Sequence, residues 1–319
     1  MRKTYPLSEA MRKFVEISED CFPDEVIKAG IDSQRKAYVA MNQQFDITHP
    51  PDIDYRDEFL HWNEEQVSVR RYQSRHTLPS RRILFVHGGG WYLGNLDSHD
   101  FFAAKLAYDC QSELVSVDYR LAPEHPYPAA LEDVYAVYRA MLEEAPEKTP
   151  PLLVGDSAGA NLIAALSLRC RDEGLLPAMG QILIYPGLAR TGTLASHQQC
   201  SNAPLLNTAA IEFCWRMYQP NNMTLLNATQ QSYLLPLEAE DFSGLPPARL
   251  YPVEFDPLKD DAVEYARRIK RVGGDADLTL GEGLVHGCLR AIGSAAEADQ
   301  FYQSICAGCA ELFVASDNS

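Results

Sequence analysis

Short apolar runs alternate along the chain with longer stretches in which apolar residues recur every three or four positions. The runs predict strands at Val67–Tyr72, Arg82–Val86, Glu113–Val117, Pro151–Val154, Gln181–Tyr185, Arg249–Val253 and Asp277–Leu280. The longer stretches predict helices over His99–Tyr108, Ala129–Glu144, Ala158–Asp172, Asp261–Arg271 and Ala295–Val314. Strands and helices that alternate in this way form a mostly parallel central sheet with helices on both faces, an α/β architecture. Ile83-Leu84-Phe85-Val86 and Ile182-Leu183-Ile184 carry no polar position, as expected of strands covered on both sides. Two regions break the alternation. Residues 1–62 read as helical and polar, closing on the cluster His49-Pro50-Pro51, and residues 189–240 are rich in Gln, Asn and Thr around a helix at Asn207–Tyr218. The pattern therefore sets two excursions, 1–62 and about 189–240, apart from an α/β body, 63–319. Both excursions are expected over the carboxyl ends of the strands, where ligands bind in such folds.

Composition narrows the classes. The 319 residues carry 28 Lys+Arg against 44 Asp+Glu, a net charge of −16, and 46% are hydrophobic. That balance disfavours nucleic acid and anionic membrane surfaces as partners, since phosphates attract basic patches. The apolar content supports a packed core rather than disorder. Met1–Asp20 develops no apolar core of a signal peptide, and no run approaches the ~18 apolar residues that span a bilayer, so a cytoplasmic location is expected. Eight cysteines are too sparse for a disulfide scaffold. Cys306-Ala-Gly-Cys309 falls in a predicted amphipathic helix, where buried thiols behave as small apolar groups rather than a redox pair. The last predicted strand, Asp277–Leu280, leaves a homodimer through a sheet edge open, and a regulatory protein partner is compatible with the sequence.

One segment carries chemistry directly. Leu152-Leu153-Val154-Gly155-Asp156-Ser157-Ala158-Gly159 passes from a predicted strand into a predicted helix through Gly155-x-Ser157-x-Gly159. A nucleophilic serine on such a turn occupies a strained backbone position, and its neighbours two residues away must be small because strand and helix pass close together. The hydroxyl needs a base, and the base needs an orienting group. Where this turn is found, the acid and then the histidine follow the serine in sequence. His286, in Gly281-Glu-Gly-Leu-Val-His286-Gly287, follows a late strand and precedes the last helix. His197 also follows Ser157 but lies in the polar excursion, with no strand to deliver it. The acid is expected in Val253–Asp261, which holds Glu254, Asp256, Asp260 and Asp261. Pro257 biases Asp256 towards an extended conformation, and Asp260 and Asp261 suit the first turn of a helix. Asp256 is preferred, with Glu254 the alternative.

Phe85-Val86-His87-Gly88-Gly89-Gly90-Trp91 follows an early apolar strand. Consecutive glycines let main-chain N–H groups converge on a developing negative oxygen without interference from Cβ atoms. The amides of Gly88, Gly89 and Ala158 are the expected oxyanion hole. A phosphate cradle is disfavoured because no Gly-Lys-Ser/Thr follows. His87 is expected to brace this loop rather than act as a base.

With these segments in hand, the sequence resembles the hormone-sensitive-lipase-like family of α/β-hydrolase esterases, bacterial acetyl esterases in particular. The matching pieces are His87-Gly-Gly-Gly-Trp-Tyr-Leu-Gly-Asn-Leu-Asp-Ser-His-Asp100, Asp118-Tyr-Arg-Leu-Ala-Pro-Glu-His-Pro-Tyr-Pro-Ala-Ala130, Gly155-Asp-Ser-Ala-Gly159, Asp256-Pro-Leu and His286-Gly, in family order. The resemblance implies an α/β-hydrolase catalytic domain with a helical cap, and a Ser157–His286–Asp256 triad. It implies that Asp156 and the Tyr119–Pro128 stretch support loop geometry. It further implies a serine carboxylesterase acting on short-chain, acetyl-type esters, with a small-molecule ester as partner and neither metal nor organic cofactor. A deacetylase or lactonase for a specific metabolite, or a ligand-binding protein on a hydrolase scaffold, are the competing readings. Trp91, Tyr92, Leu205 and Trp215 stand as substrate-pocket walls or as ordinary cap core. Cys288 departs from the family pattern, which usually carries a bulky aromatic after His-Gly.

Overall fold

The computed structural model describes residues 5–42, 44–45, 48–145 and 149–317. Its strands are β1 (Ile53–Trp62), β2 (Glu65–Ser74), β3 (Arg82–Val86), β4 (Glu113–Val117), β5 (Leu152–Asp156), β6 (Gly180–Ile184), β7 (Ala248–Tyr251), β8 (Val253–Phe255), β9 (Ala276–Leu278) and β10 (Gly281–Val285). The main sheet runs β1-β2-β4-β3-β5-β6-β7-β9. Its β1–β2 and β2–β4 pairings are antiparallel, and every pairing from β4 to β9 is parallel. Alternate residues of one strand enter two cores. Leu84 and Val86 face a core with α5 (Ala129–Glu144), α6 (Ala158–Asp172) and α10 (Lys259–Arg271). Ile83 and Phe85 face another with α4 (Asp100–Asp109), α11 (Ala296–Asp317) and α1 (Glu9–Asp20). This is the α/β architecture expected from the apolar pattern.

Four segments differ from that expectation. Residues 1–62 are not helical throughout: Ile53–Trp62 is a ten-residue edge strand paired with β2. Only Leu60 on β1 is buried, and Asp57 and Glu58 bind Arg70 and Arg71 of β2, so the strand lacks apolar alternation. Gly281–Val285, which follows the last predicted strand and falls in no predicted element, is β10, paired in parallel with β8 in a separate two-stranded ladder. The expected strand Arg249–Val253 is divided at Pro252, and Asp277–Leu280 is a three-residue edge strand at Ala276–Leu278.

The helices of the two excursions make up the expected cap. α1, α2 (Asp24–Lys28) and α3 (Ile31–Asn42) come from the N-terminal segment, and α7 (Ala195–Gln199), α8 (Thr208–Tyr218) and α9 (Ala228–Leu234) from the later excursion. On α1 the buried positions Met11, Phe14, Val15 and Ser18 follow helical spacing, and the Ser8 side chain caps the first turn. Charge seats both parts. Arg35 of α3 donates to the carbonyls of Tyr92 and Ala122 and grips Glu124 with two nitrogens, at 2.9 and 2.7 Å. At the start of α10, the fully buried Asp261 accepts the amides of Leu188 and Ala189 and lies 2.8 Å from Nε2 of His197. Burial pushes the Asp261 carboxyl up, and His197 and the two amides offset this only in part. Ser196 completes the seat, donating its hydroxyl to the Pro257 carbonyl. His197 is thus the partner of the buried Asp261 carboxylate at the start of α10.

All eight cysteines are free thiols. The neighbouring Cys110 and burial push the Cys306 thiol up, which suppresses the thiolate that redox chemistry needs. Among the described residues no helix is long and apolar enough to cross a membrane.

Two buried histidines generate stability predictions. Replacing His197 with Ala strips a partner from the buried Asp261 and is expected to cost about 3 kcal/mol, read as a lower urea midpoint. His87, fully buried and stacked on Tyr119 with ring centroids 4.3 Å apart, has its pKa pushed down to about 3, by burial first and then by the facing His99. As pH falls below about 6.5, the unfolded chain takes up a proton at this position that the native state refuses, so stability declines towards pH ~3. Between pH ~6.5 and ~4.5 the parent should lose about 2 kcal/mol more than a His87→Asn variant in urea unfolding.

Candidate active site

Ser157 sits between β5 and α6 with φ 54° and ψ −119°, a conformation that L residues rarely adopt. Its amide is tied to the carbonyl of Ile184 at the end of β6. The turn is possible because its flanks are glycine. A Cβ on Gly159 would collide with the carbonyl oxygens of Val86 and His87, and one on Gly155 would lie 2.7 Å from the Gly159 carbonyl carbon.

β8 and β10 deliver the other two members of the relay. His286 follows β10 and places Nε2 2.8 Å from Oγ of Ser157. Its Nδ1 lies 2.7 Å from Oδ2 of Asp256, which follows β8 and is fully buried. The second carboxylate oxygen of Asp256 accepts the amide of Leu258. Glu254 turns elsewhere and accepts the amide of Gly283 on β10, so it pins the ladder that carries the histidine. The ring of Tyr185 packs against His286 with centroids 4.6 Å apart. The arrangement allows Ser157 to give its proton to His286 while Asp256 fixes the imidazole tautomer.

The glycine loop is where the structure revises the sequence reading. The Gly88 amide donates to Oδ1 of Asp156 at 2.8 Å, and Gly88 does not line the cavity above Ser157. Gly89 and Gly90 do line it, as does Ala158. Among the described residues no protein acceptor takes the amides of these three. Of the expected donors Gly88, Gly89 and Ala158, Gly88 is therefore committed elsewhere. Gly88 is consumed because Asp156 needs partners: burial alone would raise its carboxyl. The facing His99, 3.5 Å away, together with Arg290 and the Gly88 amide, holds it below the usual carboxylate range. His87 braces the loop, its carbonyl accepting the Tyr119 hydroxyl.

The cavity holds about 540 Å³ and is walled by both parts of the cap. Trp91, Tyr92, Leu205 and Trp215 all line it. Trp91 also stacks on Tyr218, centroids 4.6 Å apart and planes 4° apart, and meets Trp215 at 4.4 Å. Wall and cap core are thus the same side chains. Cys288 packs away from the cavity into the core with Leu284 and Leu289, so its departure from the aromatic pattern leaves the wall to Gly287 and Arg290. Tyr185 and Arg290 escaped the sequence reading. Tyr185 closes an apolar strand like any core residue, and Arg290 lies in a short 3-10 turn with no pattern of its own.

The family model of the α/β-hydrolase fold matches residues 83–290. Carboxylesterase NlhH of Mycobacterium tuberculosis is 39% identical over 213 residues, 64% of this chain, and the match spans 65% of that relative's length. Ethyl acetate hydrolase of Pseudomonas putida is 31% identical over 243 residues, 73% of this chain and 75% of its own. A solved esterase of the bacterial hormone-sensitive lipase family superposes with a TM-score of 0.84 at 25% identity, covering 98% of this chain and 100% of the other. The chain belongs to the α/β-hydrolase fold family, in its hormone-sensitive-lipase-like branch.

Proposed function

We propose that this protein is a serine carboxylesterase that hydrolyses short-chain acyl esters through an acyl-enzyme. The reading rests on the unbroken relay from Asp256 through His286 to the Ser157 hydroxyl, at 2.7 and 2.8 Å. In this mechanism Ser157 Oγ attacks the ester carbonyl carbon and His286 Nε2 takes the hydroxyl proton. The carbonyl oxygen becomes an oxyanion held by the amides of Gly89, Gly90 and Ala158, the last at the N-terminus of α6. As the intermediate collapses, the C–O bond to the alcohol breaks and His286 returns its proton to the departing oxygen. A water then attacks the acyl-serine, giving a proton to His286, and the carboxylic acid leaves as Ser157 recovers its hydrogen. The buried Asp256 stabilises the imidazolium in both halves.

The short acyl preference is supported by kinship with ethyl acetate hydrolase and by the aromatic wall of Trp91 and Trp215 beside the oxyanion loop. The test is a p-nitrophenyl ester series from acetate to laurate. Acetate or butyrate should give the highest kcat/KM, and Ser157→Ala should lower it by at least about 10³-fold. A variant that keeps its activity, or a maximum at laurate, defeats the assignment.

A further inference from the structure

Helix α8 touches the glycine loop through one small residue. Ile211, Cys214, Trp215 and Tyr218 recur at helical spacing and form one face of α8. Trp215 and Tyr218 lie against the ring of Trp91, which fixes the helix in place. Between Ile211 and that aromatic stack stands Cys214. A Cβ placed on Gly90 would lie 2.5 Å from Sγ of Cys214 and 3.1 Å from its Cβ, so the cysteine rests directly on the Gly90 backbone. The Tyr92 ring, 3.3 Å from the same point, closes the other side of the contact. Cys214 is half-buried and, with Gly89, Gly90 and Trp215, lines the catalytic cavity. Burial pushes its thiol up to about 12, so it stays protonated at neutral pH and acts as a small apolar group. What it brings to the site is bulk.

An ester whose carbonyl oxygen takes the amides of Gly89, Gly90 and Ala158 has two groups left on its carbonyl carbon. The alcohol oxygen must face Nε2 of His286, which returns the proton to it. The acyl chain is left to the flank beside the loop, where Cys214 stands on Gly90. Sulfur is close to a methylene in size, and α8 cannot draw back without breaking the stack on Trp91. Resting on the esterase reading, we propose that Cys214 determines which acyl chain lengths the site accepts, as a stop held where α8 touches the glycine loop.

Two ester series test this and separate the two sides of the carbonyl. Ethyl acetate through ethyl hexanoate lengthens the acyl chain, and methyl acetate through hexyl acetate lengthens the alcohol, with hydrolysis followed by pH-stat for the parent, Cys214→Ala and Cys214→Leu. Cys214→Ala removes the sulfur and should raise the hexanoate-to-acetate ratio of kcat/KM by about tenfold, the scale of one methylene admitted to an apolar pocket. Cys214→Leu should lower that ratio by about tenfold or more. The hexyl-to-methyl ratio among the acetates should stay near that of the parent in both variants. An acyl ratio that Cys214→Ala leaves unchanged overturns the proposal, as does a shift confined to the alcohol series. A uniform loss on every ester, with both ratios intact, also overturns it, because Cys214 would then prop the loop without gauging the chain. If Cys214→Leu fails to fold, Cys214→Ala carries the test, since it deletes an atom and adds no bulk beside Gly90. Failure of the esterase reading appears separately, as a parent that cleaves neither series.

Discussion

At the turn that carries Ser157, two pieces of main chain pass too closely for any side chain to stand between them. Gly159 lies against the carbonyls of Val86 and His87, and Val86 ends β3 where the glycine loop begins. The same contact therefore fixes Ser157 and the amides of Gly89 and Gly90 relative to each other. The Asp156 carboxylate adds a second tie, reaching the Gly88 amide from the residue before the serine. Ser157 is held at φ 54° by its amide's hydrogen bond to Ile184 and by the close passage at the flanking glycines. Much of the reaction geometry is thus held by backbone in the middle of a parallel sheet, where rotamer freedom is irrelevant.

The cap is held differently. Its contacts with the body include ion pairs and side-chain to main-chain hydrogen bonds, and they fall on the loops that carry the site. Arg35 grips the carbonyl of Tyr92, two residues beyond Gly90. Ser196 and His197 grip Pro257 and Asp261, within five residues of Asp256. The cap thus borrows its position from the catalytic loops, while its apolar inner face shapes the cavity. Walls of this kind vary with little effect on the relay, which is how one scaffold serves many functions.

Legibility followed locality. The buried parallel strands, their helices and the serine turn announced themselves through continuous apolar runs and through steric demands on neighbouring positions. β1 did not, because an edge strand whose charges are neutralised by Arg70 and Arg71 has no apolar face to display. β10 did not, because two of its five residues are glycine and its partner is a three-residue strand.

The site divides along the same line. Ser157, His286 and Asp256 were readable because their order and the elements that deliver them are properties of the chain. Which glycine amides stay uncommitted was not, since three successive glycines are equivalent until Asp156, sixty-eight residues away, claims one of them. Tyr185 against His286 and Arg290 in the cavity wall are likewise meetings of distant segments. The sequence by itself determined the fold class and picked out the Ser157, His286 and Asp256 side chains that the fold brings together, because apolar periodicity and close backbone passage impose constraints over a few residues. Only the tertiary structure decided which amides remain open and where the buried charges lie, because hydrogen bonding and burial are allotted among groups the chain brings together only on folding.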